Sequence, residues 1–218
     1  MVQPDLVGSS VYIDPSCRFG EGCRVGHCSL VGHPIEKRSG IKPQGSTRIG
    51  AGTEIGAYCI IEDGAQIGER VVLDHYVRIG GNAVIGNDSY VLYGARIHRN
   101  VRIGARCRIS GNCPDGTLIE DDVTHFGRIH HKYENPWGGW ESTEELSPRI
   151  QKETVIAAGS IVVGPIVIGE RCFIAAGEVV RRSVPSWSVY YKGNIIPAKD
   201  WTGSLATTFF GVRHGDRP

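Results

Sequence analysis

From Val7 onward, a large aliphatic or aromatic side chain returns every sixth residue. The series runs through Val7, Ile13, Phe19, Val25 and Val31, then from Ile49 to Ile109 without a gap, then Ile119, and again Ile156, Val162, Ile168, Ile174 and Val180. Four residues after most of these stands a small or β-branched residue, such as Val11, Thr53, Ala65, Ser89 or Ala95, and six of the seven cysteines fall on that same phase. No α-helix accounts for a strict period of six, because 3.6 residues per turn would smear the large positions around the whole circumference. The period fits short strands with a turn after each, three to a coil, so that each large side chain stacks on the one about 18 residues earlier. Glycine or a small polar residue after many large positions lets the chain bend between strands.

A repeat of this kind signifies a parallel β-helix, in which a coil buries its interior only by stacking on its neighbours. The count predicts about seven coils, a prism about 35 Å tall at about 4.8 Å per coil. Cys17, Cys23, Cys59, Cys107, Cys113 and Cys172 are then small apolar spacers inside the coil and not a disulfide or metal framework, while Cys28 alone is off phase. Thirty glycines against one methionine agree with repeated tight turns. Lys plus Arg is 24 and Asp plus Glu is 23, a formal net charge of +1, so no nucleic-acid partner is expected. The start "MVQPDLVGSS" has no charged n-region with an apolar core, and no apolar run reaches membrane-spanning length, so no membrane association and a cytoplasmic location are expected. An odd number of cysteines fits a reducing compartment.

The stretch "VIAAGSIVVGPIVIGERCFIAAGEVVRRSVPSWSVYYKGNIIPAK" (155 to 199) resembles the terminal pattern of the hexapeptide-repeat acyltransferases, whose fold is a left-handed parallel β-helix. The resemblance spans about residues 7 to 200 and is closest in layout to the nucleotide-sugar N-acetyltransferases. Ala157 and Ala175 replace usual glycines, and two isoleucines separate Gly193-Asn194 from Pro197-Ala198. The resemblance implies acyl transfer from acetyl-CoA or another acyl-CoA, no metal, and a homotrimer with active sites between subunits. It further implies that Ala158, Gly159, Ala176 and Gly177 line the groove for the cofactor arm, and that Arg181, Arg182 and Lys192 meet its phosphates. The acceptor is expected to be a small molecule, a sugar or sugar nucleotide, acylated on an amino or hydroxyl group.

The count fails in two places, giving a β-helix over 1–200 with insertions at 32–48 and 126–154, followed by a tail, 201–218. The first insertion carries His33 and a cluster of Lys and Arg that could face the acceptor or only solvent. The second, "HFGRIHHKYENPWGGW", brings three histidines and four aromatic residues together. Long excursions from a rigid scaffold are where functional residues tend to sit. Acyl transfer needs a nucleophile to attack a thioester carbonyl, and a base titrating near neutrality helps to remove its proton. His131 and His130, at the mouth of the excursion, are the leading candidates. His125 is the third, although the count turns it inward, where an unpaired imidazole is costly. Tyr133, Trp137 and Trp140 are expected to bind substrate, or else to anchor the excursion. The segment "CPDGT" (113 to 117) reads as a tight turn and nothing more.

Two rivals use the same scaffold. A γ-class carbonic-anhydrase-like zinc site would need His98, His125 and His130 to converge, and a non-catalytic β-helix would offer only binding faces.

Overall fold

The computed structural model describes residues 3–33, 45–132 and 147–210. Nearly all regular structure is β, in strands of two to four residues, with one 3-10 turn at Ala198–Asp200. The strands form three faces of a parallel β-helix, a form that hexapeptide repeats fit as the left-handed kind. The first face climbs in nine parallel rungs from Leu6–Val7 to Phe173–Ile174 and is finished by Ser188–Tyr191 and the antiparallel Asn194–Pro197. The coil number is thus about nine, not seven, because Cys113, His125, Ile129 and Ile150, which the six-residue series leaves out, also fill large positions on the rungs. Phe19 pairs with Ile49 across the first insertion, and Ile119 with Ile150 across the second.

Ladder pairs place like on like at the interior: Ile55, Leu73, Val91 and Ile109 stack on the first face, and Ile67, Ile85, Ile103 and Ile119 on the third. Nearly all these side chains are buried in one continuous core. Five of the on-phase cysteines fill spacer positions as expected. Cys113 does not, since it pairs with Ile97 and fills a large position. Burial pushes the thiols of Cys59, Cys107 and Cys172 up to about 11, so they pack as small apolar groups and not as nucleophiles.

The three edges of the prism differ. At the third-to-first edge a ladder of charges closes the turns, with Arg70 on Asp88 and Arg106 on Asp122. Both insertions leave from the second-to-third edge, after the strands Leu30–His33 and Arg128–His130. The chain therefore keeps to the helix longer than the 32 and 126 boundaries implied, and it is back on the third face at Arg149–Ile150, before residue 154. The first-to-second edge carries Tyr58 and Tyr76, stacked at 5.0 Å with 7° between ring planes, and Tyr93 edge-on to Tyr76. Just beyond Tyr93 that edge shortens. Four residues, Leu92 to Ala95, make its turn there, but only Ser110-Gly111 and Phe126-Gly127 make the next two. The two short turns lie so close that a Cβ on Gly111 would overlap the Gly127 carbonyl oxygen. Through residue 210 the tail is part of the fold, with Phe210 buried against Phe173, Ala175, Val189 and Ala198.

Candidate functional site

The shortened edge has a consequence on the second face. Six strands, from Tyr12–Ile13 to Asn112–Cys113, form one ladder, and Arg128–His130, Ile161–Val163 and Val179–Val180 form another. Between Asn112–Cys113 and Arg128–His130 the backbone ladder is broken. One side chain spans the seam: Asn112 Nδ2 donates to the Ile129 carbonyl at 3.2 Å. The oxygen of the same amide lies 2.8 Å from His98 Nε2. Asp115, from the tight turn, accepts from the Arg99 backbone N–H at 2.8 Å, and its carboxylate lies 3.9 Å from His98 Nδ1. The "CPDGT" turn therefore does more than reverse the chain.

Of the histidines singled out in the sequence, His130 is exposed at the end of its strand, where its carbonyl accepts from the Gly164 N–H at 3.0 Å. His131 is half-buried beside it. His125 is different. It is fully buried in the first-face stack between Ile109 and Ile156, and neither ring nitrogen has a hydrogen-bond partner. Burial lowers its pKa to about 4, offset only slightly by the nearby backbone of Asn112. A side chain sealed in the prism cannot touch substrate, so the placement argues against a catalytic His125. It also removes the geometry for the zinc reading, because His98 and His130 face outward from the second face while His125 faces inward. Among the described residues no cluster of histidine, cysteine and acidic side chains could hold a metal ion. Tyr133, Trp137 and Trp140 lie outside the described residues.

The expected cofactor residues come together at the C-terminal end of the first-to-second edge. Ala158-Gly159 and Ala176-Gly177 are exposed turns stacked one on the other, with the Gly177 N–H donating to the Ala158 carbonyl at 3.1 Å. Next to Gly177, the Glu178 carboxylate accepts from the backbone N–H groups of Lys192 and Gly193 at 2.7 and 3.2 Å. Arg182 donates to the Gly193 carbonyl at 2.9 Å, which brings Arg182 and Lys192 to the same hairpin. Arg181 is exposed beside Arg182. The edge thus runs from a cationic hairpin, along turns almost without side chains, to the indentation at Ser110-Gly111 and Phe126-Gly127, behind which lies the His98, Asn112 and His130 seam.

Sequence reading missed Asn112 and Asp115 and gave His98 only a metal role. The signal was faint: a step of four from Ile109 to Cys113, and again from His125 to Ile129, where six was the rule.

Comparison with known proteins agrees with this architecture. The bacterial transferase hexapeptide (six repeats) model matches residues 46–81 and 76–111, and the hexapeptide repeat of succinyl-transferase matches 149–182. The fold and these repeats define a hexapeptide-repeat β-helix protein. More narrowly, over part of its length the chain is similar to transferases and acyltransferases built on such repeats. It is 21% identical to a bifunctional protein GlmU of Paracidovorax citrulli over 89% of this chain and 39% of that protein. A serine acetyltransferase of Buchnera aphidicola is 35% identical over 33% of this chain and 25% of its own length. Among solved structures, a UDP-N-acetylglucosamine acyltransferase from Campylobacter jejuni shares the fold with a TM-score of 0.53 at 15% identity, covering 84% of this chain and 70% of that one. The chain spans only about two fifths of the GlmU relatives it matches.

Proposed function

We propose that this protein transfers an acyl group from an acyl-CoA thioester to an amino or hydroxyl group of a sugar or sugar nucleotide. One observation carries the reading. The exposed Ala158-Gly159 and Ala176-Gly177 turns form a track without bulky side chains, with Lys192 and Arg182 at one end and the indented, histidine-bearing seam at the other. A slender, phosphate-bearing thioester matches that track: cations for its phosphates, bare backbone for its arm, and a base where its carbonyl would arrive. The acceptor heteroatom attacks the carbonyl, and a histidine of the seam takes its proton. The seam offers exposed His98 and His130, with His131 half-buried beside the latter. Because the track lies on an outer edge, a second copy of the chain would complete the groove, in a trimer of threefold symmetry. A sugar nucleotide as acceptor is suggested by the UDP-N-acetylglucosamine acyltransferase of C. jejuni that shares the fold.

The test is thermal unfolding of the intact protein with acetyl-CoA, succinyl-CoA and longer acyl-CoA thioesters, followed by thiol-release assays with UDP-N-acetylglucosamine and related sugars. At least one thioester is expected to raise the melting temperature, since a ligand that binds only the folded state stabilises it. Replacing Arg182 and Lys192 with glutamine should weaken that shift. No stabilisation by any thioester, together with no thiol release, would refute the proposal.

A further inference from the structure

We infer that His98 is the seam histidine that takes the acceptor's proton, and that Asn112 holds it in the required tautomer. The inference rests on the acyltransferase reading above. Asn112 is the pivot. Its Nδ2 is committed to the Ile129 carbonyl, so the atom facing His98 is the amide oxygen. An amide oxygen only accepts, and so the His98 Nε2 at 2.8 Å must carry the ring proton. In the neutral ring the lone pair is then on Nδ1. That nitrogen lies 3.9 Å from the Asp115 carboxylate, beyond hydrogen-bond reach. Asp115 is itself held by the Arg99 N–H. The constellation has the three parts of an oriented base: a lone pair on one nitrogen, a fixed partner on the other, and a carboxylate near the charge that develops.

His98 is reachable, with its side chain 47% exposed, and it points outward on the second face, one rung below Asn112. Among the described residues no polar group fixes the ring of His130, whose recorded bond is through its backbone carbonyl. The broken ladder explains why an asparagine stands here. On the rungs below, the residue after each large position donates upward, as the His98 N–H does to the Cys113 carbonyl, but the residue after Cys113 is Pro114, which has no N–H to offer Ile129. The seam leaves that carbonyl to a side chain, and the same side chain orients the imidazole. In the reaction the acceptor's O–H or N–H proton moves to His98 Nδ1 as its heteroatom bonds to the thioester carbonyl. The C–S bond then breaks, and the same proton passes to the departing thiolate, so that an ester or amide and a free thiol leave a neutral His98.

Two measurements test this. Nitrogen-15 NMR of the histidine rings in the intact protein should show His98 with its proton on Nε2. Asn112→Asp, which keeps an acceptor toward the ring, should preserve that tautomer, while Asn112→Ala should let it mix. A simple loss of packing would not produce that contrast. In thiol-release kinetics His98→Gln should lower kcat by about 100-fold or more while the thioester KM changes little. A wild-type His98 carrying its proton on Nδ1, or full kcat in His98→Gln with thioester binding intact, would overturn the inference and leave the acyltransferase reading standing. Absence of thioester binding in the wild type would overturn both.

Discussion

Replacing His125 by leucine exposes the cost of an imidazole in the stack. The ring is fully buried with both nitrogens unpartnered, and burial holds its pKa at about 4 against an ordinary 6.5. The folded state therefore refuses a proton that the unfolded chain accepts below pH 6.5. The unfolded state binds more protons between pH 6.5 and 4, so stability rises with pH across that window and is fully present above it. From 6.5 to about 4, at about 1.4 kcal/mol per tenfold change in proton affinity, the loss reaches about 3 kcal/mol by pH 4, where the buried ring is itself half-protonated. Leucine has no such titration, and it also removes two buried polar atoms whose desolvation costs about 1–3 kcal/mol. Urea unfolding at fixed protein concentration, at pH 7.5, 6, 5 and 4, gives the difference between variant and wild type. His125→Leu is expected to be at least as stable as wild type at pH 7.5, with its advantage growing by about 3 kcal/mol towards pH 4. A difference that stays constant with pH would mean that His125 is not held neutral in the interior. A variant destabilised by more than about 2 kcal/mol at pH 7.5 would mean that the ring makes bonds the reasoning denies it.

Other expectations concern the same scaffold. Gly111→Ala must place a Cβ on the Gly127 carbonyl at a φ of 77°, and should cost about 1–3 kcal/mol in thermal or urea unfolding; an unchanged transition would contradict the packing of the two short turns. Of seven thiols, Cys28 alone is exposed, so a thiol reagent should label one rapidly in the native protein and all seven in denaturant; several fast native thiols would count against the buried spacers. Tyr76 has a φ of 61°, so Tyr76→Asn, which tolerates that backbone, should leave stability within about 1 kcal/mol of wild type despite the lost ring stack, and a larger loss by calorimetry would assign the stack a structural role.

The rungs were legible in the sequence because each large side chain reports its own position: Ile79, Ile97 and their fellows recur at the spacing that the ladder then realises. The inward turn of His125 followed from the same count. The extra coils did not, because the steps of four to Cys113 and Ile129 break the count, and only the pairing of these residues and of Ile150 with their neighbours shows that they fill rungs.

The edge proposed to take the cofactor was suggested only through resemblance, and the gathering of Arg182 beside Lys192 there depends on a hairpin that the repeat does not encode. The seam was out of reach. His98, the Asn112 and Asp115 pair, and Ile129 sit on three successive coils, and their contacts join residues 14 to 17 apart, where the repeat places no partner. By itself the sequence determined that a stacked β prism would form, since burying every sixth side chain leaves no other economical arrangement. Only the tertiary structure decided where the prism breaks, because two shortened turns pull one edge inward, part the ladder, and leave a single asparagine to join its halves and aim an imidazole.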